Sequence, residues 1–353
     1  MHPSREEKLQ EIKSCIENDL LASDLKISLF TSAAKSFKKN FLLNPFPSAY
    51  LKDDIKDFDR LIEDLDQIPS LEELLVILMA EFDNTVLISN AVINLLHWIL
   101  IDYLKYDAET VPKSKHEEIL SLSKSTGKYQ APNYIFRINY KETSAAEKKF
   151  NQLKIGQKTK FAYHGTKFCN AYTILNYGLQ QHLNKTALFG EGLYFAFEIQ
   201  VSLLFSQSVG GWQNSKIGNL VSCIAICEYI DDPNYSKIRK ENAKNNDIPQ
   251  NYLLITNNEI VRVRYLMIYG SNKPIIKSSS SSNSLKALTS TGSVEEIQTR
   301  QGLFLSWCRR NPLIVSVFLY MLLLILVGFS NHRSFEHYKR MILDFLKRRF
   351  KFE

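Results

Sequence analysis

The stretch FGEGLYFAF, from Phe189 to Phe197, joins a Gly-x-Gly turn to a run of aromatic and small apolar residues, which is the chemistry of a strand entered through a tight turn. It does not read as a dinucleotide-binding loop, because no third glycine opens a helix behind it. Working outward, the same texture recurs in YIFRINY (134–140), KFAYHG (160–165), NLVSCIAICEYI (219–230), NYLLIT (251–256) and VRVRYLMIYG (261–270). Gly, Asn and Asp turns separate these runs, so they predict a β-rich region over about 127–270, within a domain placed at 109–273. Upstream the period changes. Leu61, Leu65, Leu71, Leu74, Leu75 and Leu78 recur at helical spacing, broken at NPFPS (Asn44 to Ser48) and at Pro69. Residues 1–108 are therefore expected to be an all-helical domain, and the chain an α+β protein.

The chain has 353 residues, 45% hydrophobic and 23% charged, enough for two domains with cores of their own and incompatible with disorder throughout. Its net charge of +7 is concentrated at the end, where residues 331–353 hold seven Lys/Arg against three Asp/Glu. Only +3 belongs to the rest, which excludes a basic nucleic-acid footprint. Cysteines stand at 15, 169, 223, 227 and 308, an odd number without Cys-x-x-Cys spacing. That pattern argues against a disulfide framework and against a zinc site, and for a reducing compartment.

LIVSVFLYMLLLILVGF, from Leu313 to Phe329, is seventeen residues without a charge. At 1.5 Å per residue it would reach about 25 Å, matched to a thin bilayer such as that of the endoplasmic reticulum. Residues 312–330 are read as a transmembrane tail anchor, preceded by a Ser-rich linker (274–311) and followed by a basic tail (331–353). The charged first 30 residues offer no signal-peptide core, so a cytosolic position for everything before the span and a lumenal tail are expected. The basic tail pulls the other way, since positive-inside bias alone would keep it cytosolic. A second uncharged stretch, Asn84 to Ile101, carries Ser89, Asn90, Asn94 and His97. It is read as a buried helix with His97 in the core.

Three clusters carry the chemistry: YHGT (Tyr163 to Thr166), FGEGLYFAF and NYLLITNN (Asn251 to Asn258). Singly each is ordinary turn or strand material. In this order and spacing, with Ser202 eight positions after Tyr194, they resemble the catalytic domain of the PARP-type ADP-ribosyltransferases. The resemblance is closest to the tail-anchored, endoplasmic-reticulum, single-unit-transferring branch. It extends through DLKISLF (24–30), NPFPSAY (44–50), HLNKTALFGEG (182–192), DIPQNY (247–252) and TNNEIVRVRYL (256–266).

The resemblance implies a split β-sheet that binds NAD as co-substrate, with no metal, and releases nicotinamide from the ribose. His164 would hydrogen-bond a ribose hydroxyl, the Gly165 backbone and Ser202 would hold the carboxamide, and Tyr194 would stack on the cationic ring. Phe205 stands where many members have a second stacking Tyr. Tyr252 stands where polymerising members have Glu, and with an ordinary pKa near 10 it is a poor base at neutral pH, so single transfer is expected. Glu259 is a weak substitute seven residues on. The catalytic set is therefore His164, Tyr194 and Tyr252, with Gly165, Ser202 and Phe205 completing the NAD contacts and Gln180 to Gly190 covering them. Expected partners are protein acceptors at the endoplasmic-reticulum or nuclear-envelope membrane, stress-sensor kinases among them, and the enzyme itself, in stress signalling; nucleic acid is not among them. The alternative is an inactive NAD-cleft scaffold that recruits partners to the membrane.

Overall fold

The structure, a computed structural model, describes residues 3–79, 88–102, 105–123, 127–180, 190–238 and 251–272. The expected linker, membrane span and basic tail, and most of the expected 180–190 cover, lie outside them. Among the described residues no helix is long and apolar enough to cross a membrane.

The first third is helical: α1 (Arg5–Asn18), α2 (Leu20–Ala34), α3 (Lys39–Leu42), α4 (Phe58–Asp66), α5 (Leu71–Met79) and α6 (Asn90–His97), with a small hairpin of β1 (Leu51–Lys52) and β2 (Ile55–Lys56). Starts are set by side-chain caps. Ser4 and Glu7 form a reciprocal capping box on α1, Asp19 accepts from the Ala22 amide to open α2, and Asp57 and Ser89 do the same for α4 and α6. The apolar stretch from Asn84 enters α6 and runs into a π turn (Trp98–Asp102). His97 is buried there, 2.6 Å from Glu11 and 3.0 Å from Asp102.

The remainder is built from β3 (Tyr106–Thr110), α7 (His116–Leu120), β4 (Tyr134–Tyr140), α8 (Ala145–Lys154), β5 (Thr159–Thr166), α9 (Phe168–Tyr177), β6 (Leu193–Ala196), α10 (Ile199–Leu203), β7 (Val209–Gly210), β8 (Leu220–Ile230), β9 (Ser236–Ile238), β10 (Tyr252–Ile255) and β11 (Val261–Ser271). The strands form an antiparallel sheet in the order β3-β4-β11-β8-β5-β6-β10-β9, with β7 paired to β8. β8 is covered on both faces, which explains why its sequence is a continuous apolar run rather than an alternation. The sheet is nearly divided in two: β5 keeps eight register pairs with β8 but a single one, Tyr163 with Ala196, with β6.

Two features were not legible as a domain boundary. The expected division between 108 and 109 falls inside β3, whose alternation Tyr-Asp-Ala-Glu-Thr follows its burial residue by residue. The helices also share one core with the sheet, running from Ile12, Leu25 and Phe30 through Phe136 and Phe195 to Ile268. α2 is the hinge of that packing, buried from Ala22 to Ala34. Leu25, Ile27, Leu29 and Phe30 are each fully covered, worth roughly 1.5–3 kcal/mol apiece. Its polar residues are answered by the sheet side: Lys26 Nζ lies 2.9 Å from Asp107, and Asp24 receives the Ser215 hydroxyl and the Lys216 amide.

Candidate active site

The three sequence clusters come together where the sheet divides. β5 ends in His164-Gly165-Thr166, β6 carries Tyr194, and β10 begins at Tyr252. Tyr252 is in register with Ala196, and Ala196 with Tyr163, so the three strands meet on one rung beside His164. Opposed residues and residues two apart share a face, so Tyr194 and Tyr252 project to the same side.

His164 Nδ1 donates to the Tyr194 carbonyl at 2.9 Å, and its ring packs 5.5 Å from that of Phe195. The β5–β6 ladder has already ended here, so the imidazole takes the place of a backbone amide. Two consequences follow. Nδ1 must carry the proton, which leaves Nε2 with a lone pair that can accept from a hydroxyl. Burial lowers the imidazole pKa, against the opposing pull of the Tyr194 carbonyl, so the neutral form is favoured.

Tyr194 donates its hydroxyl to the Gly190 carbonyl at 2.6 Å. That bond fixes the ring plane and leaves the π face as what the side chain offers a ligand. Gly192 brings the strand close to β10: with φ of +154°, any Cβ would lie 2.6 Å from Leu254 and 2.8 Å from the Ile255 carbonyl.

Gly165 is required for a reason the sequence did not display. A Cβ there would lie 1.9 Å from the Ser202 carbonyl, so α10 can pass over the strand end only because the residue is glycine. Ser202 is thereby buried beside the strand end, 2% exposed, with a hydroxyl that has no hydrogen-bond partner among the described residues. Such a group costs about 1–3 kcal/mol unless something completes it. A carboxamide offers one acceptor and two donors, and the Gly165 backbone and that hydroxyl are groups of the chemical type that would answer them. Ser206 was missed by the sequence reading. It is buried, with Oγ between the Cys223 and Thr166 carbonyls, and pins the turn after α10 to β5; a serine in a run of serines gives no signal of this.

Phe205 follows α10 and is 55% exposed, an aromatic face held at the surface by the turn that Ser202 and Ser206 fix. Glu259 lies in an exposed 3-10 turn (Asn258–Ile260) past the far end of β10. The strand alone carries the chain about 10 Å from Tyr252, which removes Glu259 as a substitute. Cys169, Cys223 and Cys227 are buried free thiols pushed up in pKa by burial. Among the described residues no cluster of His, Cys, Asp or Glu could hold a metal.

The comparisons with known proteins converge on the same regions. Residues 14–100 match the ARTD15 N-terminal domain, and residues 113–240 match the poly(ADP-ribose) polymerase catalytic domain; β3 lies between them. Protein mono-ADP-ribosyltransferase PARP16 of Homo sapiens is 33% identical over 338 residues, covering 91% of this chain and 94% of that protein. Its namesake in Mus musculus is 31% identical over 344 residues, 92% and 95% of the two chains. With relatives 31–33% identical over more than nine-tenths of both chains, and the catalytic-domain model matched over 113–240, the chain belongs to the PARP family of ADP-ribosyltransferases.

Proposed function

We propose that the protein transfers single ADP-ribose units from NAD to side chains of other proteins and of itself. In this reading His164 Nε2 accepts a hydrogen bond from a hydroxyl of the adenosine ribose, and Tyr194 and Phe205 flank the nicotinamide ring. The Gly165 backbone and the Ser202 hydroxyl hold the carboxamide. With the ribose gripped, the bond from C1′ to the pyridinium nitrogen breaks, nicotinamide departs neutral with the bonding pair, and positive charge grows on the ribose. An acceptor carboxylate then bonds to C1′ to give an ester; a lysine acceptor would also lose a proton.

The observation that carries the single-unit reading is Tyr252 at the head of β10, in register with Ala196 at the divided rung. It can donate a hydrogen bond to ribose but is a poor base for activating the hydroxyl of an ADP-ribose already attached. Intact-mass measurement of the purified chain after incubation with NAD tests this. Additions of single ADP-ribose units, no more numerous than the modified side chains, are expected, with none in Tyr194→Ala; chains of units on one side chain would overturn it.

The uncharged stretch 313–329 supports an anchor in the endoplasmic-reticulum or nuclear-envelope membrane with the catalytic domain in the cytosol, where stress-sensor kinases would be acceptors. The sequon at Asn234 is exposed, so a lumenal domain would present it for glycosylation. An endoglycosidase-sensitive form of the chain would reverse the topology.

A further inference from the structure

Away from the cleft, one surface interleaves exposed apolar and cationic side chains. Phe37 is 87% exposed and Phe41 54%, between α2 and α3 and on α3; Leu51 and Ile55 stand out from the β1–β2 hairpin at 41% and 72%. These belong to one surface, because Lys56 Nζ donates to the Asn40 and Leu43 carbonyls at 3.0 and 3.3 Å. Lys35, Lys38, Lys39, Lys52 and Lys56 lie among them, with Lys38 Nζ 5.3 Å from the centre of the Phe37 ring. Asp53, Asp54, Asp57 and the Asp66 that pairs with Lys35 oppose those five lysines and leave an excess of one positive charge. The hairpin is held out by a two-residue turn with Asp53 at φ 49° and Asp54 at φ 63°, the left-handed pair that such a turn requires.

We infer that this surface docks the domain on an anionic bilayer. Phe37, Phe41 and Ile55 enter the boundary between headgroups and acyl chains, and the lysines meet lipid phosphates and carboxylates. Lipid suits the pattern better than a protein does. Apolar tips separated by ammonium groups give little continuous dry area for a protein interface, whereas headgroups take up interleaved charge without a matching shape.

The inference rests on the anchoring reading only for the supply of membrane. Residues 273–312 could extend to about 130 Å at full stretch, so a tether of that length does not choose which face meets the bilayer; the lysine and phenylalanine surface does. The consequence concerns the acceptor. The NPFPS segment beside this surface packs on α9, where Tyr172 donates to the Pro45 carbonyl at 3.0 Å, and α9 follows directly from the His164-Gly165-Thr166 strand end. Docking there sets the strand end that carries His164 one helix away from the bilayer, within reach of acceptors held close to it.

The test uses the full chain with vesicles of phosphatidylcholine alone or with phosphatidylserine, each carrying nitroxide-labelled lipid, and reads flotation and tryptophan quenching separately. Read as the change from a Trp307→Phe background, which removes the tryptophan next to the span, Phe37→Trp is expected to add quenching on anionic vesicles, and Ile155→Trp, 79% exposed after α8, to add none. Adding Lys38→Glu and Lys39→Glu should reduce the quenched fraction at least about fivefold for each lysine. Flotation without quenching at position 37, equal quenching at 37 and 155, or equal quenching on both lipids would overturn the docking while leaving the anchor standing. Flotation on anionic vesicles alone, lost in the lysine variant, would overturn the anchor and keep the docking; no flotation on either would overturn both.

Discussion

Two of the places where hydroxyls are buried do opposite things with them. Where α2 meets the sheet, Ser215 donates to Asp24 at 2.5 Å, Ser28 donates to it at 3.1 Å, and the Lys216 amide at 2.6 Å completes the carboxylate. Where β5 meets α10, Ser202 is as deeply buried and has no partner among the described residues. An unpaired hydroxyl alone is not a ligand mark, since Thr31 and Ser32 on α2 also lack partners. Ser202 differs in standing beside a glycine that admits no side chain and a histidine with a free lone pair. The first cluster is finished by folding, whereas the second, in the proposed reading, is left for substrate to finish.

The strongest way to break that contrast is at His164. Removing the ring in His164→Ala deletes both the bond to the Tyr194 carbonyl and the acceptor for ribose, while the packing lost is only partly buried. A fall on the order of a hundredfold in kcat/KM is expected, corresponding to about 2–3 kcal/mol of transition-state contact. Steady-state transfer assays beside a thermal melt check it: a melt collapsed in step with activity would make His164 structural and erase the distinction.

The sequence displayed the cleft better than the junction. His164, Tyr194 and Tyr252 were singled out through the family resemblance of three short motifs, and the structure brings the strands that carry those motifs to one rung. Asp24 and Ser215 could not, because they lie 191 residues apart and neither sits in a motif that announces a partner. The helical third was legible from leucine spacing. Its fusion with the sheet was not, because periodicity reports which face is apolar and is silent on what covers it. β3 was hidden for a related reason: an edge strand of Tyr, Asp, Ala, Glu and Thr is too polar to stand out beside the apolar run of β8.

The junction should answer to pH with its own sign. Burial raises the Asp24 carboxyl from 3.8 to about 6, opposed by its three hydrogen bonds. The folded state therefore holds a proton that the unfolded chain has already lost between about pH 4 and 6, and stability falls as pH rises through that window, by up to roughly 3 kcal/mol. His164 runs the other way: with its pKa lowered in the folded chain, acidification below the ordinary histidine range near 6.5 costs stability. Denaturant midpoints of wild type and Asp24→Asn from pH 4 to 8 separate the two. The variant should lose the fall between about pH 4 and 6 and keep the His164-linked rise, which is complete by about pH 6.5; a variant with the wild-type profile would remove Asp24 from the account.

The finest test compares two serines of similar burial. Ser215→Ala takes a donor from a carboxylate left buried, and about 1–3 kcal/mol of stability should go with it. Ser202→Ala removes a hydroxyl that the folded chain does not satisfy, so stability should hold or rise by about 1 kcal/mol, while NAD binding weakens by roughly fivefold to tenfold. Calorimetric melts with and without NAD read both quantities on the same samples. The crossing is the point: one substitution lowers the melt and spares the ligand-induced shift, and the other spares the melt and shrinks the shift. If Ser202→Ala instead destabilised the NAD-free protein as Ser215→Ala does, its hydroxyl would already be satisfied within the fold, and the cleft would be as finished by folding as the junction is.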